Sequence, residues 1–183
     1  MDDRLDSLAA IEEAVWRQLS ACIADKSHAW RTPVLATIDG ERADARTVVL
    51  REIDARQKQV LIYTDERAGK VRQLLSHPHG TLVMWSPVLS WQLRCHVRLS
   101  LEMSGLAASS RWARIRLSPA AQDYLSPLPP GAALPANPAH LPVARDYFAV
   151  IDATIESIDW LELHRDGHRR AIFDDRGARW VQP

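Results

Sequence analysis

The sequence predicts a mainly β fold, a closed or partly closed antiparallel barrel of six to eight strands with peripheral helices. Three observations predict it. Short runs rich in β-branched residues recur along the 183-residue chain, and turn residues such as Asp39-Gly40, Asp166-Gly167 and Arg176-Gly177 separate several of them. The links are too short for crossovers, so neighbouring strands run antiparallel. Strand–helix alternation, the mark of a doubly wound parallel sheet, is missing.

The elements follow in chain order. Residues 4–25 read as an amphipathic helix, because Leu5, Leu8, Ile11, Val15, Leu19 and Cys22 recur at steps of three and four. "TPVLATI", "ARTVVLREI" and "QKQVLIYT" (32–38, 45–53 and 57–64) read as three strands. "AGKVRQLLSH" is a short helix stopped by Pro78, and "GTLVMWS" and "SWQLRCHVRLSLEMSG" are two further strands. Residues 106–126 read as helical, with Pro119 opening a second helix at its first turn. Residues 126–143 hold six of the eleven prolines and form a loop. The tail from Tyr147 reads as three strands. Too little chain follows the proline-rich loop for a second core, so residues 1–183 form one domain.

Composition bounds the function. Lys plus Arg equals Asp plus Glu at 23 each, which argues against a general nucleic-acid binder or a polybasic membrane-surface protein. Two cysteines, Cys22 and Cys95, suit small buried hydrophobes in a reducing compartment. No apolar run reaches membrane-spanning length, and the acidic start has no signal core, so the expectation is a cytoplasmic protein. No metal site is expected, because no His or Cys set has ligand spacing.

Two stretches carry candidate chemistry. In "WQLRCHVRL", strict alternation puts Gln92, Arg94, His96 and Arg98 on one face and Leu93, Cys95, Val97 and Leu99 on the other. The polar face is either a solvated outer surface or a place where Gln92 hydrogen-bonds a ligand ring. The second stretch runs from Arg46 to Lys70. Arg46, Thr47, Arg51, Tyr63, Thr64 and Lys70 make a phosphate-binding set of cations and hydroxyls, with Lys70 at a predicted helix start. Arg46 and Arg51 are five apart, so an ideal strand points them to opposite faces, and both reach one ligand only across a strand end or a bulge. Spacing alone favours ordinary surface charge there. "HRDGHRR" (164–170) reads as a basic hairpin turn, in which His168 either stabilises the turn or lies near a site.

The order "RTVVLR", "VLIYTDERAGKVRQL", "TLVMWSPVLSWQLRCHVRL", "DWLELHRDGHRRAIF" resembles the pyridoxamine 5′-phosphate oxidase-related family of flavin mononucleotide (FMN)-binding split barrels. The likeness spans 31–105 and 147–183, and "LSPAAQDYLSPLPPG" looks like the family's shorter, oxidase-related branch. The resemblance implies an FMN-binding split barrel, a homodimer with FMN at its interface, and oxidoreductase chemistry on a small-molecule substrate. It implies that Arg46, Thr47, Val48, Val49, Leu50 and Arg51 run along the FMN phosphate and ring, partly by backbone. Tyr63 and Thr64 match the family's cofactor Tyr-Thr pair, Lys70 a phosphate-binding lysine, and Gln92 a glutamine on the isoalloxazine ring. Trp160 and Arg170 match a tryptophan and an arginine from the partner subunit.

Departures accompany the likeness. Ala68-Gly69 stands where the family has Ser-Arg before the lysine, leaving Arg67 or Arg72 to compensate. Arg51 replaces a substrate-touching lysine, Arg116 stands nearest a substrate-phosphate arginine, and Asp166 replaces the arginine of the oxidases' Arg-x-His. An aspartate where a phosphate ester approaches is repulsive. The resemblance therefore implies an FMN-binding flavoprotein acting on a substrate other than pyridoxamine phosphate. A genuine pyridoxamine 5′-phosphate oxidase and a non-catalytic flavin binder are the alternatives. No acid or base is assigned.

Overall fold

In the computed structural model, described for residues 4–134 and 146–183, nine antiparallel strands form one sheet with three α-helices around it. Part of the predicted proline-rich loop, 135–143, lies outside the described residues. The chain runs α1 (Leu8–Ala24), β1 (Val34–Asp39), β2 (Arg42–Thr47), β3 (Leu50–Asp54), β4 (Gln59–Asp65), α2 (Gly69–Ser76), β5 (His79–Ser86), β6 (Trp91–Glu102), α3 (Leu106–Ile115), β7 (Phe148–Glu162), β8 (Arg169–Asp174) and β9 (Gly177–Val181).

The strand order is β2-β1-β5-β6-β7-β4-β3, with β8 on β7 and β9 on β8. The first and last strands of that path, β2 and β3, are consecutive in sequence and joined only by Val48-Val49. Three Cα steps span at most ~11 Å. The two edges therefore come back together and the sheet curls into a barrel, split at that seam because no ladder joins β2 to β3.

The core explains the elements. In β6 the odd positions from Trp91 to Leu99 are buried, and Gln92, Arg94, His96 and Arg98 face out, as the alternation predicts. Helix α1 buries Ile11, Ala14, Val15, Leu19 and Cys22 in the same cluster as Leu35, Leu50, Ile62, Leu82 and Trp160. It begins at Leu8 rather than residue 4, because the Ser7 side chain accepts from the Ala10 N–H and caps it there. A smaller cluster, Tyr124, Phe148 and Val150, packs with Trp112 and Tyr63 under α3. Pro119 does open a turn, a 3-10 segment through Tyr124.

One expectation needs correction. The strand count is nine, above six to eight, because "ARTVVLREI" is two strands: Val48 leaves the ladder and donates to Pro33 O at 2.9 Å. Between Leu50 and Glu52 the β3–β4 register also shifts, leaving Arg51 as the extra residue of a bulge. The bulge carries Arg51 out of the regular alternation of β3.

Candidate functional site

The split seam holds a cleft of about 260 Å³, lined by Thr47, Val48, Val49, Arg51, Tyr63, Thr64, Asp65, Ala68, Lys70, Asp123, Tyr124 and Pro130. Seven predicted residues meet here: Thr47, Val48, Val49, Arg51, Tyr63, Thr64 and Lys70. β2 and β3 bring the first four through the Val48-Val49 link, β4 brings the Tyr-Thr pair, and α2 brings Lys70 in its first turn. No side chain caps α2; the Val71 N–H donates to Ala68 O at 2.8 Å, which leaves the Gly69 and Lys70 N–H groups for an anion.

The charges fit an anion. Burial, then the nearby Arg46 cation, pulls the Lys70 ammonium below the usual lysine range. Lys70 has no ion-pair partner among the described residues. The Arg51 Nε is buried with no hydrogen-bond partner there either. Arg51 lies 5.7 Å from the Tyr63 ring centroid and acts on the Tyr124 hydroxyl, whose pKa burial raises. Arg51 and Lys70 are half-buried, and a buried guanidinium nitrogen without an acceptor is costly, which a phosphate would relieve. A larger cleft of about 370 Å³ lies beyond Tyr63, but Glu52, Asp54, Glu102 and Asp152 against Arg111 make it the wrong sign for phosphate. Glu52 still serves the first cleft: it accepts the Tyr63 hydroxyl at 2.6 Å and is held by Arg111 and Arg114, fixing the tyrosine in the wall.

The other predicted residues lie elsewhere. Arg46 does not line the cleft. Its guanidinium is spent on Leu35 O, Thr37, Asp44 and Gln73, locking α2 onto β1 and β2, and only its charge reaches Lys70. Leu50 is fully buried, so its side chain serves the core. Trp160 is also fully buried, edge-on to Trp91 (5.3 Å) and Trp180 (6.3 Å), and its ring is closed to a flavin in this chain. Arg170 donates to Asp159 Oδ1 at 2.9 Å and Oδ2 at 2.7 Å, and Arg94 holds the same carboxylate. Gln92, Trp160 and Arg170 cluster where β6, β7 and β8 pair, ten residues along β7 from the Tyr63 partner Val150, ~33 Å of extended chain.

Neither proposed compensating arginine reaches the cleft. Arg72 pairs with exposed Asp39, and Arg67 is bound to Asp65 and to the carbonyls of 126–128. Arg116 lines a separate cleft with Trp112 and Phe148. In the β7–β8 turn, His168 Nδ1 accepts from the His164 N–H at 3.1 Å, the turn-stabilising role, and Asp166 is exposed beside His164 and Arg165. Sequence reading missed Asp65, Asp123, Tyr124 and Pro130 as cleft residues. Asp65 follows the Tyr-Thr pair directly and could have been found; the other three arrive by tertiary packing from a distant segment.

Comparison with known proteins agrees with this geometry. Residues 13–101 match the family model of the pyridoxamine 5′-phosphate oxidase FMN-binding domain. No curated protein matches the chain. Among solved structures, a pyridoxamine 5′-phosphate oxidase-related, FMN-binding protein from Nostoc punctiforme PCC 73102 is 23% identical at a TM-score of 0.69, over 97% of this chain and 100% of that one. PhzG from Burkholderia lata 383, solved with tetrahydrophenazine-1-carboxylic acid, is 15% identical at 0.75, over 100% and 95%. A pyridoxamine 5′-phosphate oxidase-like protein from Listeria innocua is 19% identical at 0.52, over 81% and 95%. At these identities the structures establish a shared split-barrel fold, and among the described residues no helix is long and apolar enough to cross a membrane.

Proposed function

We propose, because residues 13–101 match the FMN-binding domain model of the pyridoxamine 5′-phosphate oxidase type, that this single-domain cytoplasmic protein is an FMN-dependent oxidoreductase working as a homodimer on a small molecule. The observation that carries the proposal is the seam cleft, where Lys70 and the orphaned Arg51 Nε stand beside an uncapped helix start. Lys70, Arg51 and the α2 N–H groups hold the phosphate, the Thr47 and Thr64 hydroxyls and the 47–49 backbone hold the ribityl side, and Tyr63 forms a wall. Bound FMN supplies the hydride and electron transfer.

Size and placement support the dimer. Ligand sites usually offer ~300–1,000 Å³, so a cleft of about 260 Å³ covers part of FMN and leaves the ring for a second subunit. Gln92, Arg94 and Arg170 sit on an outward sheet face, and the Arg94–Asp159–Arg170 group keeps one net positive charge there. That face reaches the partner's cleft, with Trp160 buttressing it from the core. Pyridoxamine phosphate is disfavoured as substrate by the exposed Asp166 in the β7–β8 turn.

The test is the visible spectrum of the purified protein, then of protein given FMN and desalted. Retained flavin at one per subunit is the expected result, followed by flavin reduction by a reduced nicotinamide and reoxidation. No retained flavin overturns the cofactor assignment for this chain. Retained flavin without turnover reduces the protein to a flavin carrier, and aldehyde formation from pyridoxamine phosphate would make it a genuine oxidase.

A further inference from the structure

Arg67 does not line the cleft, yet its guanidinium is heavily bonded directly behind it. Its Nε and Nη2 donate to the two oxygens of Asp65 at 3.0 and 2.7 Å, and its backbone N–H also donates to Asp65 Oδ1. Nη2 also reaches Ser126 O at 2.9 Å and Leu128 O at 3.4 Å, and Nη1 donates to Pro127 O at 3.5 Å. The guanidinium Cζ lies over the Tyr147 ring, 3.2 Å from its centroid. The backbone knits the same pieces together: Glu66 N donates to Tyr147 O, and Tyr147 N to Tyr124 O.

Two consequences bear on the cleft. Asp65 lines it with only 4% of its surface exposed, and an uncompensated carboxylate there would repel a phosphate. Arg67 cancels that charge from behind. The strap it grips is the segment that supplies Asp123, Tyr124 and Pro130 to the cleft wall. A lysine could neutralise Asp65, but with one ammonium it could not also span three carbonyls.

We propose that Arg67 is a positioning residue that holds the 123–130 strap against the seam cleft and thereby sets how slowly the cofactor leaves. The proposal rests on the FMN reading above. The strap closes one side of the cleft, so releasing it acts on dissociation more than on association.

The experiment compares wild type with Arg67→Ala, Arg67→Lys and the double variant Asp65→Asn/Arg67→Ala. FMN release is followed by recovery of flavin fluorescence on dilution, and strap order by amide exchange of residues 123–131 in flavin-free protein. Losing charged hydrogen bonds of this kind should speed release by roughly ten- to a hundred-fold in Arg67→Ala. Arg67→Lys, which serves if the alanine variant does not fold, should release faster than wild type, and both should lose exchange protection in the strap. The double variant should stay fast, because the strap remains loose with the carboxylate gone. Wild-type release in Arg67→Lys, or in the double variant, would reduce Arg67 to a counter-ion and overturn the proposal. A wild type that retains no FMN sinks the flavin reading instead, and the exchange measurement still decides whether Arg67 holds the strap.

Discussion

Lys70 shows how one side chain joins stability to binding. Burial and Arg46 depress its pKa, so the folded, ligand-free protein carries an ammonium it would rather lose. A phosphate raises that pKa again, so FMN binding takes up a proton at alkaline pH, and affinity falls as pH rises through the free-state value. Replacing Lys70 by Ala should weaken FMN by about 1.5–3 kcal/mol. Titration of flavin fluorescence checks this, and unchanged affinity removes Lys70 from the phosphate site. The neighbouring position offers the reverse experiment. A Cβ at Gly69 meets nothing within 4 Å, so Gly69→Arg fits and adds a cation at the start of α2. It should tighten FMN by roughly ten-fold; an equal or weaker affinity means the side chain points away from the phosphate.

At the scale of elements, the site depends on two interruptions in otherwise regular strands. The Val48-Val49 link takes the chain from one barrel edge to the other, and the Arg51 bulge turns a cation into the cleft while Glu52, beside it, grips Tyr63 from the other side. The strands that carry the seam are packed closely behind it. Gly80 in β5 faces Ala36 O and the Leu99 and Leu35 side chains, which an added Cβ would meet at 2.9, 3.1 and 3.4 Å. The nearest of these is backbone and cannot swing aside. Gly80→Ala should therefore cost about 1–3 kcal/mol by pushing β1 from β5. Chemical denaturation measures it, and a loss below ~0.5 kcal/mol would show that the sheet relaxes there without strain.

For the whole molecule, buried carboxylates held by arginines set the acid limit. Burial raises Asp159, but hydrogen bonds from Arg170 and Arg94 outweigh it and hold the carboxyl below its usual range. Glu162, under Arg4, Arg169 and the Trp91 N–H, and Glu52, under Tyr63 and Arg111, balance the same way. A carboxylate depressed in the folded state lends stability above its unfolded pKa, and that stability drains as pH falls through the folded value. Melting temperature should hold from neutral pH to about 5 and drop below about 4. A flat profile to pH ~3 would mean these pairs contribute nothing. Association is the second molecular property. Val34, Ile38 and Trp85 expose 36%, 42% and 44% of their surfaces on the outward face of the β1–β5 region. Sedimentation should give a dimer near twice 20.6 kDa. In mixed dimers pairing Arg170→Ala with Lys70→Ala subunits, one intact site should survive if Arg170 serves the partner's cleft; two half-strength sites would place it in its own.

The sequence by itself determined the antiparallel barrel, the inward and outward faces of β6 and the buried stripe of α1. These follow from period-two and period-three-to-four patterning, turn chemistry and motif order, which are local properties of the chain. It read "ARTVVLREI" as one strand, because both halves are β-branched and nothing local marks a two-residue escape from one ladder to another. It could not tell which arginines were free. Arg46, Arg67 and Arg170 resemble Arg51 in composition and neighbourhood, and only their partners, Gln73, Asp65 with the strap, and Asp159, separate them from Arg51, whose buried Nε has no partner among the described residues. Tertiary structure decided that question because charge is a property of the residue, whereas its availability depends on what the fold places within hydrogen-bonding reach.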